Sequence, residues 1–230
     1  MGAQSIRWSR EGEDPAIESR YSHSFTMKAL KQLGLALAIV ATTYYAIVRV
    51  AEEKASALAG GDTVRLGSQT PAERDAFEAL LNQLRIWYQA ALAAALAQLR
   101  DEGDLWVAPQ LSGERSAIYV SSLGLVSRVY VRREELVSPE LPFPDAGFPE
   151  PARRTFATIR LAGTLHHELQ HYEGLEDESA TYEREIQWYR GLGATMLERL
   201  QGEERRQFEW AIDSAVQSGE AAREKAASMI

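Results

Sequence analysis

Three of the four histidines fall in one short stretch, "TLHHELQHYEG", residues 164–174. Two of them, His167 and His171, flank Glu168 in the order H-E-x-x-H. In a helix, residues four apart share a face, so both imidazoles can offer a nitrogen to a single ion. Glu168 projects to the side of that face, where its carboxylate can reach a water on the same ion. The residue types suit Zn²⁺. Neutral imidazole binds it, and a neighbouring carboxylate can take a proton from the water as it attacks a carbonyl. There is no cysteine, so any metal must be held by histidine and carboxylate, and disulfides and cysteine nucleophiles are excluded.

Gly174 reads as the residue that stops the first helix. A second helix starting three residues later would close a tight hairpin and return its first turn to His171. A third ligand is therefore expected among Glu176, Asp177 and Glu178. Two patterns compete. The spacing H-E-x-x-H-x-x-G-x-x-D resembles that of the metzincins, with Asp177 as the third ligand. Met196 and Met229 are the later methionines that could form the turn which that family places beneath its metal. Against this, Glu178, Tyr182, Glu185 and Tyr189 recur at i, i+4, i+7 and i+11 and so form one stripe. Packed against a histidine face such a stripe has a purpose; buried elsewhere it would be costly.

On His167, Glu168, His171 and Glu178 the chain resembles the gluzincins, the thermolysin-like zinc metallopeptidases whose third ligand is a glutamate on the helix after H-E-x-x-H. The resemblance implies Zn²⁺ held by His167, His171 and Glu178, with Glu168 as general base. It also implies a helical zincin-like domain that hydrolyses a peptide or protein substrate. Gluzincins add a histidine or tyrosine that stabilises the oxyanion. No histidine follows His171, which makes Tyr182 the candidate, with Tyr189 further off. Asp177, if not the ligand, would cap the second helix or orient an imidazole. His166 points about 100° away from His167 and is expected to support the site or lie at the surface. The rival readings are a non-catalytic protein whose helical hairpin is stapled by zinc, and a zinc hydrolase of a non-peptide amide. Structural zinc sites usually close with four protein ligands, whereas three leave a position open.

The elements that must position these residues follow from patterning. The expected class is α+β, predominantly α, with a small β-hairpin and an amino-terminal hydrophobic helix. Residues 1–28 are polar and mixed in charge and read as a flexible tail. Residues 29–50 form the hydrophobic helix, uncharged from 32 to 48, and can span a membrane if Lys31 and Arg49 snorkel. The alternative is a buried helix of the soluble domain. Lys28 and Lys31 precede the run, while Arg49 and Lys54 are mixed with Glu52 and Glu53 after it. That asymmetry favours a single-pass protein with its domain outside the cytoplasm.

The metallopeptidase-like domain is expected over residues 60–230. Thr70 as N-cap, Pro71 and Glu73 open a helix that runs on to Gly103. Residues 116–133 alternate like a two-stranded hairpin, and the strand near Val126–Arg132 is the candidate for pairing with an extended substrate. "SPELPFPDAGFPEP" holds five of the eight prolines and reads as a loop that could rim the site. Helices are expected over residues 153–172, 177–200 and 203–227. A net charge of -8 speaks against nucleic acid as a partner.

Overall fold

The computed structural model describes residues 15–61, 63–66, 70–111, 115–138 and 148–228, with side chains from Leu30 onward apart from that of Val64. The chain divides into two compact units, Met1–Arg49 and Val50–Ile230.

Helix α1, Pro15–Leu58, supplies the described part of the first unit and runs on into the second. It begins within the stretch expected to be a polar tail. Proline fits a first helical turn, and neither glycine nor proline follows before Gly34, so nothing breaks the helix ahead of the apolar run. Residues 1–14 of the expected tail lie outside the described residues. The segment Leu30–Leu58 is long and apolar enough to cross a membrane. Leu33, Leu35, Leu37, Ile39, Val40, Tyr44 and Tyr45 are all exposed along it.

The second unit is α+β and mostly helical, as expected. Its sheet comprises β1 (Val64–Arg65), β2 (Leu105–Ala108), β3 (Ala117–Ser122) and β4 (Val126–Arg132), in the order β1-β2-β4-β3. Strand β2 runs parallel to β4, while β1–β2 and β3–β4 are antiparallel. The β3–β4 hairpin turns through Leu123 and Gly124, both at positive φ (54° and 64°), the combination that matches the twist of the strands. Strand β4 lies between β2 and β3, so both of its edges are already paired and it has none to offer a substrate. The free edge beside it belongs to β3, which corrects the choice of Val126–Arg132.

The sheet is covered on both faces. On one, Ala51, Ala55 and Ala59, spaced four apart at the end of α1, pack with Val120, Val126 and Tyr130. This unit therefore starts ten residues before the expected Gly60 boundary. On the other face, Leu105, Val107, Val129 and Val131 meet the helical core of α2 (Pro71–Ile86), α3 (Ala90–Glu102), α5 (Glu150–Tyr172), α6 (Glu178–Leu197) and α7 (Gly202–Ala227). A short helix, α4 (Arg133–Val137), follows β4 directly. The proline-rich loop expected as a rim falls largely on residues 139–147, outside the described residues.

The helix expected from residue 71 to Gly103 is broken in two. Tyr88 takes φ 60°, Tyr88 N–H donates to Arg85 O at 3.0 Å, and Gln89 N–H donates to Leu84 O at 2.8 Å. That is a helix stop built without glycine. Its cause is tertiary: Trp87 is buried edge-on against Phe208, and Gln89 Oε1 accepts from Trp188 Nε1 at 3.0 Å. Thr70 sits at the N-cap of α2, yet its hydroxyl donates to the Glu73 carboxylate and not to a backbone amide. Glu73 is buried and needs partners, and its other oxygen accepts from Arg133 Nε at 2.6 Å.

Candidate metal centre

Helix α5 stops where its sequence says it should. Gly174 adopts φ 99°, its N–H donates to His171 O at 3.0 Å, and Leu175 N–H donates to Gln170 O at 2.9 Å. This pair of bonds satisfies the last carbonyls and reverses the chain. Asp177 then caps α6, accepting from Ala180 N–H at 2.7 Å. The cap leaves Glu178 as the first residue of α6, directed back at α5.

The outcome is a triangle of donor atoms. His167 Nε2 lies 3.2 Å from His171 Nε2 and 3.2 Å from Glu178 Oε2, and His171 Nε2 lies 3.5 Å from Glu178 Oε2. A tetrahedral Zn²⁺ with bonds of about 2.0–2.1 Å separates its ligand atoms by about 3.3 Å. The residues present fit that ion, and no further histidine or carboxylate joins the group among the described residues.

Both imidazoles are oriented through their other nitrogen. His171 Nδ1–H donates to Leu175 O at 2.6 Å, and His167 Nδ1–H to Glu185 Oε2 at 3.1 Å. Glu185 is fixed in turn by the Tyr189 hydroxyl, which donates to Oε1 at 2.6 Å. These bonds leave the Nε2 lone pair of each ring for the triangle completed by Glu178 Oε2, the pattern by which ligating histidines are held in register. Burial pulls the His167 imidazole down, but the Glu185 hydrogen bond and the carboxylates of Glu168 and Glu178 outweigh it and leave it raised.

Glu168 is buried, and its Oε2 accepts from the backbone N–H of Tyr119 at 2.6 Å. That amide is free because Ser116 O already accepts from Arg132 N–H, so alternate residues 118, 120 and 122 face β4 while Ala117, Tyr119 and Ser121 face outward. Burial pushes the Glu168 carboxyl up, against the pull of the His167 and His171 imidazoles and of the Tyr119 N–H. Tyr182 places its ring 4.4 Å from that of His167, and burial pushes its phenol up, so it remains an O–H donor. A cleft of about 270 Å³ opens over these groups, bounded by the start of β3, by Arg160 and Thr164 of α5, and by Ala215, Ser218 and Gly219 of α7.

The structure thus brings together His167, Glu168, His171, Glu178 and Tyr182, while Asp177 serves as a cap. His166 faces elsewhere: its ring stacks on Trp188 at 5.8 Å, and burial takes it down to about 4, so it is neutral. Gly163 lies one turn before His167 on α5, where the helix meets Tyr189 of α6. A Cβ there would collide with the Tyr189 phenol, so the glycine admits the side chain that braces Glu185. Glu185 and Tyr189 lie on the stripe legible in the sequence, although their bracing role was not. The contributions of Leu175 O and Tyr119 N–H left no trace in side-chain patterning, because both come from backbone.

No protein-family model matches the chain, and neither a curated protein nor a solved structure matches it.

Proposed function

We propose that this chain is a zinc-dependent hydrolase of peptide bonds, held at a membrane by its amino-terminal helix. The observation that carries the reading is the triangle of His167 Nε2, His171 Nε2 and Glu178 Oε2, sized for a tetrahedral ion, with an unligated buried carboxylate beside it. Zn²⁺ bound there would polarise a carbonyl and make water acidic enough to attack near neutral pH.

The chain's own residues divide the remaining work. His167, His171 and Glu178 hold the ion. Glu168, which lines the cleft, accepts the proton of the attacking water and passes it to the leaving amine, with Tyr119 N–H holding one carboxylate oxygen and leaving the other for the proton. Tyr182 donates its O–H to the developing oxyanion. The outward-facing edge of β3 offers backbone hydrogen bonds to an extended peptide. Three ligands and an open cleft favour catalysis over a zinc staple.

Exposed apolar side chains between two cationic flanks support a single membrane span. Lys28 and Lys31 on the amino side favour a domain outside the cytoplasm.

The test is digestion of a peptide library by the full chain and by Glu168→Gln. General-base catalysis contributes about 10²–10⁴-fold, so the variant should lose at least that much turnover while keeping its zinc. Equal cleavage by both proteins would exclude the mechanism. No cleavage by either, with unfolding when zinc is removed, would make the structural staple the better account.

A further inference from the structure

The cleft is asymmetric in charge. Its carboxylates, Glu168, Glu178 and Glu185, cluster around the histidines, whereas the start of β3 brings Arg115 into the lining. Arg115 is exposed, and among the described residues no carboxylate lies within ion-pairing distance of it. Arg160 lines the same cleft from α5. Its Nη2 is committed to both oxygens of the buried Glu135, at 2.9 and 3.0 Å, while its Nε is buried without a partner. Glu135 also accepts from Arg132 Nη2, and Glu134 lies in the same adjoining cavity, so Arg132 and Arg160 are matched by two carboxylates and Arg115 is the added positive charge at this end of the cleft.

Strand direction says which part of a substrate meets that charge. The outward-facing positions of β3 are Ala117, Tyr119 and Ser121, and the N–H of Tyr119 is already given to Glu168. A peptide added antiparallel to β3 runs its carboxyl-terminal side toward the amino end of the strand, where Ala117 lines the cleft and Arg115 follows, two residues before it in the chain. Successive residues advance about 3.3 Å, so the arginine is reached within a few residues of the Glu168 carboxylate. A guanidinium with no carboxylate partner among the described residues, at the end of a short track, suits a carboxylate.

We infer that Arg115, with Arg160 beside it, selects peptides carrying a carboxylate a few residues to the carboxyl side of the cleaved bond, either the chain terminus or an acidic side chain. The inference rests on the peptidase reading for the direction of the substrate, and binding alone can test it.

Three N-acetylated tetra-alanine probes separate the possibilities: the free acid, the amide, and the amide with Asp in the last position. Each is titrated calorimetrically into the zinc-loaded full chain carrying Glu168→Gln, alone and combined with Arg115→Ala or Arg115→Lys. The acid should bind about 10- to 100-fold more tightly than the amide, the range of a hydrogen bond to a charged group. Arg115→Ala should bring acid and amide together, and Arg115→Lys should restore part of the gap. Binding of the Asp amide like the acid would assign recognition to carboxylates in general, and binding like the plain amide would assign it to the chain terminus. Equal binding of acid and amide, or a preference that survives Arg115→Ala, overturns the inference. A preference that depends on Arg115 in a chain that cleaves no peptide would keep this assignment and remove the hydrolase reading.

Discussion

Glu185 Oε2 accepts from His167 Nδ1 at 3.1 Å across the α5–α6 hairpin, while its Oε1 accepts from Tyr189 one turn further along α6. A buried carboxylate is costly unless every lone pair is used, and here both oxygens are engaged. Removing Glu185 therefore does more than delete a hydrogen bond. It frees the ring of His167 to rotate and leaves the Tyr189 hydroxyl buried without an acceptor.

Glu185→Ala should weaken zinc about 10–100-fold without removing a ligand, as loss of such supporting carboxylates does elsewhere. Competition with a chromophoric chelator measures it. Affinity equal to the parent's would mean that His167 is held by packing alone.

Gly163→Ala should destabilise the protein, the reverse of what the substitution does in most helices. Replacing a mid-helix glycine normally gains about 1 kcal/mol. Here the added Cβ meets the Tyr189 phenol, and overpacking costs about 1–3 kcal/mol. The denaturant midpoint of the variant should fall, and its zinc affinity should fall with it as Tyr189 is displaced from Glu185.

Acid should erode stability partly through Glu73. Burial alone would push its carboxyl up, but the Thr70 hydroxyl and the Arg133 guanidinium outweigh burial and hold it below its ordinary value of 4.5. A carboxyl depressed in the folded state stabilises above its unfolded value, and that contribution is lost as pH falls through the folded value. The gap in Tm between the parent and Glu73→Gln should be full near neutral pH and close as pH falls below the ordinary value of 4.5. A gap that does not vary with pH would assign the effect of Glu73 to packing.

The sequence carried the local part of this architecture and lost the tertiary part. Gly174, Asp177 and the stripe from Glu178 to Tyr189 made the α5–α6 hairpin and its ligand geometry legible, because cap chemistry and helical period are properties of neighbours in sequence. Alternation likewise revealed the β3–β4 hairpin. Strand β2 was hidden because four residues are too few to establish a period, and only pairing with β4 makes them a strand. With β2 unseen, β4 looked like an edge. The break at Tyr88 was hidden for a similar reason: the apolar stripe continues across it, and only the burial of Trp87 forces the turn.

The end of α1 gives a further prediction. Ala51, Ala55 and Ala59 cover Val120, Val126 and Tyr130, so a chain starting at Val50 should be soluble and folded, while one starting at Gly60 should expose that sheet face and lose stability. The full chain should sediment with membranes and require detergent. A full chain soluble without detergent would show that the exposed apolar run of α1 is covered by protein and not by lipid.

The central claim is one ion held by two histidines and a glutamate, and elemental analysis of the purified chain tests it directly. The parent should carry one zinc per chain. His171→Ala and Glu178→Ala should each lose it, while Asp177→Ala, which removes only a helix cap, should keep it. Full zinc in His171→Ala, or loss in Asp177→Ala with retention in Glu178→Ala, would contradict the account.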